Sequence, residues 1–251
     1  MHTSIFRKLR ILILAVAVLI VGSIAILSPR ALAGEGDTEV TIIGITDFHG
    51  HIENGPYLAT GINEARATNP NNVLVGCGDL VGASSFASAC QDDKPAFEEL
   101  KAMGLEVTAT GNHDFDSGIE YFDTFIVPNM KPAQYVVCNM EGSDLTGTEP
   151  YWIKEFNGKR VAFIGAVTSE LPSLVSPSGL GNCKVSEPVA ALNKVADQLR
   201  DGNAENGEAD AVVVICHEDG HKLIGLNSNV NAVLSGHTHL EEQGMLKITV
   251  L

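Results

Sequence analysis

Apolar and polar positions along the chain fall into two kinds of segment. Val40–Thr46, Asn72–Gly76, Glu106–Thr110, Tyr135–Cys138, Arg160–Val167, Ala211–Ile215 and Ala232–Leu234 are short and almost wholly apolar or β-branched, which predicts buried strands. Between them lie stretches with helical spacing. Tyr57–Thr68 repeats Leu58, Ile62 and Ala65, and Lys94–Met103 carries Ala96, Phe97, Leu100 and Met103 on one face with Gly104 ending it. Gly118–Phe125 reads as a short helix. A longer one runs from a Ser186 cap to Arg200, with Pro188 in its first turn and Val189, Leu192, Val195, Ala196 and Leu199 as its stripe. Tyr151–Phe156 and Arg160–Val167 flank Asn157-Gly158, a strong two-residue hairpin signal. Strands alternating with helices predict a mainly α/β fold.

The amino terminus reads differently. Arg7, Lys8 and Arg10 precede the apolar run Ile11–Leu27, and Ala31-Leu32-Ala33 offers a small-x-small cleavage site. That is the layout of a secretory signal peptide over residues 1–33, with an uncleaved N-terminal anchor as the alternative. Either way the globular part, residues 34–251, is expected outside the cytoplasm: secreted, periplasmic or at the cell surface. A membrane partner is expected only if the segment stays uncleaved.

Residues 1–33 hold four of the 16 basic residues and none of the 31 acidic ones, so the rest of the chain carries 12 against 31, a net −19. Such a surface repels polyanions and argues against nucleic-acid polymers as partners. A small anionic substrate stays possible where bound metal reverses the local sign. Five cysteines are too sparse for a disulfide scaffold, and Cys77 and Cys216 read as small buried residues at strand ends.

The candidate chemistry sits in five short motifs: Asp47-Phe48-His49, Gly78-Asp79, Gly111-Asn112-His113-Asp114, His217, and Gly236-His237-Thr238-His239. Seven of the eight histidines lie in or within four residues of them. Most of the motifs follow a predicted strand, and in α/β sheets ligands gather outside the carboxyl ends of the strands. Each motif alone is weak: His beside Asp is often a solvated pair, and Gly-Asp is ordinary turn chemistry. In His237-Thr238-His239, extended chain would point both imidazoles the same way. Together they supply carboxylate, amide and imidazole donors enough for two divalent ions. Those donors suit Zn, Mn, Fe or Co better than Ca. Two such ions side by side are a standard means of hydrolysing phosphate esters.

This ordered set resembles the calcineurin-like metallophosphoesterases. The longer stretches Thr46–His51, Gly78–Ser84, Gly111–Asp116, Pro150–Ile153 and His217–Gly220 are similar to the secreted 5′-nucleotidase family, and the resemblance runs from about Val40 to His239. It implies a β-sandwich flanked by helices. It also implies one metal held by Asp47, His49, Asp79 and His239 and a second by Asp79, Asn112, His217 and His237, with Asp79 bridging. His113 would face the substrate phosphate, stabilising the transition state or protonating the leaving oxygen, and Asp114 would hold its ring from behind. The activity implied is release of phosphate from 5′-nucleotides.

The family normally adds a C-terminal nucleotide-binding domain, whereas this chain stops twelve residues after His239, with Lys247–Leu251 readable as one closing strand. The fold is therefore expected to be incomplete at that end. Two other readings keep the same motifs. One is a 2′,3′-cyclic-nucleotide, nucleotide-sugar or general phosphodiester hydrolase. The other is a truncated fragment that binds metal without turnover.

Overall fold

A computed structural model describes residues 10–15 and 38–240. The cleavage site, most of the Ile11–Leu27 run and the Lys247–Leu251 strand lie outside the described residues. Twelve strands are present among those described: β1 (Arg10–Ala15), β2 (Glu39–Ile45), β3 (Asn72–Cys77), β4 (Val107–Ala109), β5 (Gln134–Val136), β6 (Met140–Glu141), β7 (Thr148–Glu149), β8 (Tyr151–Phe156), β9 (Lys159–Val167), β10 (Lys184–Val185), β11 (Ala211–His217) and β12 (Ala232–Ser235).

Two sheets carry the architecture. The first has the order β1-β2-β3-β4-β5-β7, and every neighbouring pair is parallel. The second has the order β12-β11-β9-β8, with β8 and β9 antiparallel and the rest parallel. A small pair, β10 with β6, stands apart. β1 lies in the segment expected to be a leader. Its pairing with β2 follows from the β-rich run RILILA, which satisfies backbone groups β2 would otherwise present as an open edge.

The alternation of Cβ directions sorts the strands into layers. Val40, Ile42, Val73, Val75, Val107 and Val136 of the first sheet meet Val161, Phe163, Val213 and Ile215 of the second in the inter-sheet core. The outer face of the first sheet, with Ile43, Ile45 and Leu74, packs on helices Gly55–Thr68 and Lys94–Ala102 through Ile62, Ala65, Phe97 and Leu100. The outer face of the second, with Ile164, Val212 and Val214, packs on helix Pro188–Gln198 through Leu192, Val195 and Ala196. The result is a β-sandwich flanked by helices. Strands covered on both faces read as unbroken apolar runs.

Two local expectations needed revision, and a third held. The helix expected to end at Phe125 continues as a π turn, Phe122–Ile126, into Val127–Met130. Pro128 has no N–H to return to the helical ladder, and the wider π turn lets the chain pass it. Ser186 does not cap its helix, which starts at Pro188 without a side-chain cap. Its N–H and hydroxyl both donate to Asn139 O, and Asn139 also ties down Val167. The Asn157-Gly158 hairpin is as expected, with φ of 51° and 76° at its two central residues.

Candidate metal centre and active site

Each site loop leaves the carboxyl end of a parallel strand. Asp47 follows β2, Asp79 follows β3, Asn112 follows β4, His217 ends β11, and His237 follows β12. The loops are bonded to one another through their backbones: Asp47 N–H donates to Gly78 O at 3.2 Å, His49 N–H to Asp79 O at 3.1 Å, and Gly236 N–H to Cys216 O at 3.1 Å. His113 N–H donates to Asp79 Oδ1 at 2.9 Å, joining the third loop to the second.

Glycine makes this crowding possible. A Cβ on Gly111 would collide with the Asp79 carboxylate, one on Gly236 with the Thr46 hydroxyl, and one on Gly78 would lie 2.7 Å from His217 Nδ1. Backbone conformation is unusual as well. Asp47, His49, Asp79, His237 and His239 have φ of 51°, 45°, 50°, 81° and 55°, the left-handed region that non-glycine residues seldom enter. Five residues of the expected ligand set share it, the kind of local strain that gathers at functional sites.

The side chains converge. Asp47, His49 and His239 form one group able to hold a cation, and Asp47, Asp79 and His217 form another. His217 Nε2 is 2.9 Å from Asp79 Oδ2, and His49 Nε2 is 4.0 Å from the same oxygen, so Asp79 faces both groups. His239 Nε2 lies 3.2 Å from Asp47 Oδ1 and 3.4 Å from His49 Nε2. His237 Nδ1 lies 3.3 Å from His217 Nε2. His237 and His239 therefore do not share a direction as extended chain would impose. Both have turned left-handed, and each ring joins a different group.

The donor set fits a pair of divalent cations by three signs. His49 Nδ1 bonds to Gly82 O at 2.8 Å and His217 Nδ1 to Cys77 O at 2.9 Å, so with Nδ1 as donor both present a bare Nε2 to the centre. Asn112 Oδ1 is buried without a hydrogen-bond partner, an orphan acceptor that a cation would satisfy. Two or more imidazoles and two carboxylates packed into a buried volume are the ligands that transition-series ions prefer.

Electrostatics agree. Burial alone would raise the Asp79 carboxyl, but the hydrogen bond and charge of His217 hold it below the usual range. For His217 burial lowers the imidazole, and the bond to Asp79 outweighs that and raises it. His237 is lowered, by burial first and then by the His217 charge.

Around His113 the structure corrects one expectation. Its ring is held by Asp116, with Nδ1 2.9 Å from Oδ2, and not by Asp114. Asp114 is buried. It accepts from Gly111 N–H at 2.7 Å and from Tyr135 O–H at 3.0 Å. Burial, then the nearby Asp79 charge, pushes its carboxyl up to about 7. In the helical turn His113–Phe115 the next carboxylate, three residues on, shares the face of His113, whereas the adjacent residue points inward. That spacing was the available signal for Asp116. The His113 ring stands 5.3 Å from that of His49, edge to face.

Among the remaining candidates, His51 pairs with Glu53 at 2.6 Å on the surface. Cys77 and Cys216 are buried, and burial pushes the Cys77 thiol up to about 12. All five cysteines are free. Glu218, beside His217, is buried and bonds Thr168 Oγ1, Asp219 N and Lys222 Nζ, which pins the end of β11 to that of β9. Its burial was not legible in the sequence, where a role beside His217 and a place in a turn were equally open.

Carboxylate and imidazole donors gather at the strand ends of a helix-flanked β-sandwich, an arrangement suited to holding divalent metal. Residues 40–241 match the family model described as calcineurin-like phosphoesterase, and the chain belongs to that family. It is similar to the cell wall protein Lmo0130 of Listeria monocytogenes, 28% identical over 98% of this chain and 39% of that protein. It is also similar to a 5′-nucleotidase of Vibrio cholerae, 24% identical over 71% of this chain and 34% of that protein. Among solved structures, the NAD nucleotidase NadN of Haemophilus influenzae superposes with a TM-score of 0.67 at 17% identity, over 79% of this chain and 38% of that one. The chain thus spans less than two fifths of the length of these relatives.

Proposed function

We infer that this chain hydrolyses phosphoric monoesters outside the cytoplasm, with 5′-nucleotides as the leading substrates, giving nucleoside and phosphate. The observation that carries the reading is the convergence of Asp47, His49, Asp79, His217, His237 and His239 at one point, with the orphan Asn112 Oδ1 in the same ligand set. The similarity to a 5′-nucleotidase inclines the substrate class toward nucleotides. The basic start and apolar run of residues 1–33, with the likeness to a cell wall protein, support an extracytoplasmic site of action. Among the described residues no helix is long and apolar enough to cross a membrane.

One ion would be held by Asp47, His49, Asp79 and His239, the other by Asp79, Asn112, His217 and His237, with Zn, Mn, Fe or Co as the candidate elements. When bound, such a pair lowers the pKa of water and neutralises phosphoryl charge. The chain's own residues do the rest. Asp79 ties three loops into one frame through its contacts with His217 and His113 N–H. His113, oriented by Asp116 through Nδ1, would in its doubly protonated form donate from Nε2 to a phosphoryl or leaving oxygen. As a water oxygen bonds to phosphorus and gives up a proton to solvent, the P–O bond to the alcohol breaks and the alcohol oxygen takes the proton that His113 would donate.

The test is phosphate release from AMP and from p-nitrophenyl phosphate by the Mn- or Zn-loaded chain, beside an Asn112→Ala control. Metal-dependent release that collapses in the control is the expected result. No release at two bound metals per chain would favour the reading as a binding-only fragment.

A further inference from the structure

A cavity of about 350 Å³ opens beside His113 and Asp116, and no part of the metal chemistry uses it. Its walls include Tyr121 and Phe125, whose rings stack at 4.8 Å, and the carboxylates of Asp92, Asp93 and Asp116. Among the described residues no lysine or arginine lines it. Asp92 and Asp93 have φ of 55° and 56°, two successive non-glycine residues in the left-handed region. This strain is held in place by Asp93, which accepts from Ser88 Oγ at 2.8 Å and Gly82 N–H at 3.3 Å. Ser84, on the same wall, has a buried hydroxyl with no partner.

The position and the lining answer separate questions. Position says which part of a substrate enters. The phosphoryl group belongs among the histidines and aspartates, and His113 forms part of the cavity wall, so a group bonded to that phosphorus can extend past His113 into the cavity. The lining says what chemistry enters. Stacked aromatic rings beside carboxylates attract cations, through the ring quadrupole and through charge. Lys94 already uses part of this preference, with its Nζ 6.0 Å from the centre of the Phe125 ring and 3.2 Å from Asp92. A leaving group carrying a second phosphate or a carboxylate would meet the carboxylates of Asp93 and Asp116, while the nearby Lys94 is already paired with Asp92.

We propose that this cavity is the leaving-group subsite, and that it selects phosphomonoesters whose alcohol carries a positive charge, an amino or quaternary-ammonium alcohol, over those whose alcohol is anionic. This rests on the phosphomonoesterase reading above and adds to its substrates a class whose leaving alcohol, unlike a nucleoside, is charged.

Two measurements on the metal-loaded chain separate the two ideas. The first is calorimetric titration with choline alone, which needs no turnover. The second is kcat/KM for phosphocholine against 3-phosphoglycerate. Choline should bind the wild-type chain, and binding should weaken about tenfold in Tyr121→Ala and in the milder Tyr121→Leu, the scale of a partly desolvated cation–π contact. Phosphocholine should exceed 3-phosphoglycerate by about tenfold or more, and Asp92→Asn should narrow that ratio while leaving metal content unchanged. Asparagine tolerates the left-handed backbone at position 92, so this variant changes charge, by removing the carboxylate and freeing the Lys94 ammonium, and not backbone. No choline binding by the wild-type chain, or a ratio at or below one, overturns the subsite. Choline binding without phosphate release from any ester upholds the subsite and sinks the hydrolase reading.

Discussion

Gly111→Ala is the sharpest probe of the site's construction. Gly111 does not need glycine for its backbone angles; it needs the absence of a Cβ, because that atom would overlap the Asp79 carboxylate and backbone nitrogen. Asp79 is nearly wholly buried and cannot move aside without releasing the bond from His113 N–H at 2.9 Å and disturbing the His217 contact at 2.9 Å. Overpacking in a rigid surround costs about 1–3 kcal/mol. Loss of a hydrogen bond to a buried carboxylate adds about 1.5–3 kcal/mol. The sum, about 2.5–6 kcal/mol, should lower Tm by roughly 5–24 °C for a domain of this size. Differential scanning calorimetry on the EDTA-treated chain reads the steric cost directly. Elemental analysis after reloading should show loss of metal, because Asp79 faces both cation groups. An alanine variant with Tm within about 1 °C of the parent and a full metal complement would refute the idea that this contact sets the geometry of the centre.

Three further outcomes follow from the same geometry. Asn112→Ala should leave the stability of the metal-free chain within about 1 kcal/mol, since it removes a buried acceptor that has no partner, yet bound metal should fall from two toward one per chain by elemental analysis. Asp116→Asn should lower kcat about 10–100-fold with metal content unchanged, because it loosens the His113 ring and touches no expected ligand; equal turnover would remove Asp116 from the mechanism. For Asp114 the folded carboxyl at about 7 lies above its ordinary value of 3.8, so its contribution to stability is full below about pH 4 and is lost as pH rises through about 7. In the metal-free chain Asp114→Asn should therefore be the more stable form at pH 8, by at most about 4 kcal/mol, and should lose that advantage by pH 4, as read by thermal melts across pH.

Much of this protein could be read from its residues because each layer is covered on both sides. Strands such as Asn72–Cys77 and Ala211–His217 are apolar but for one end residue, helices such as Pro188–Gln198 show one apolar stripe, and six of the seven expected ligands sit in loops just past strand ends while His217 closes its strand. Chemistry that depends on residue type and order was legible there: which side chains can bind a cation, and that they would meet. Which atom faces which was not. The partner of His113 had only the three-residue spacing of Asp116 as a signal, and neither the separate groups joined by His237 and His239 nor the burial of Glu218 follows from chain order, because each is fixed by a backbone turn or a neighbouring sheet. The cavity beside His113 is likewise a product of packing. Its wall combines residues 81–97 with residues 113–126, and only the tertiary fold brings those stretches face to face. Local sequence sets residue type, periodicity and turn propensity, which act over a few residues. Long-range contact decides direction, distance and charge environment, since those depend on groups far away along the chain.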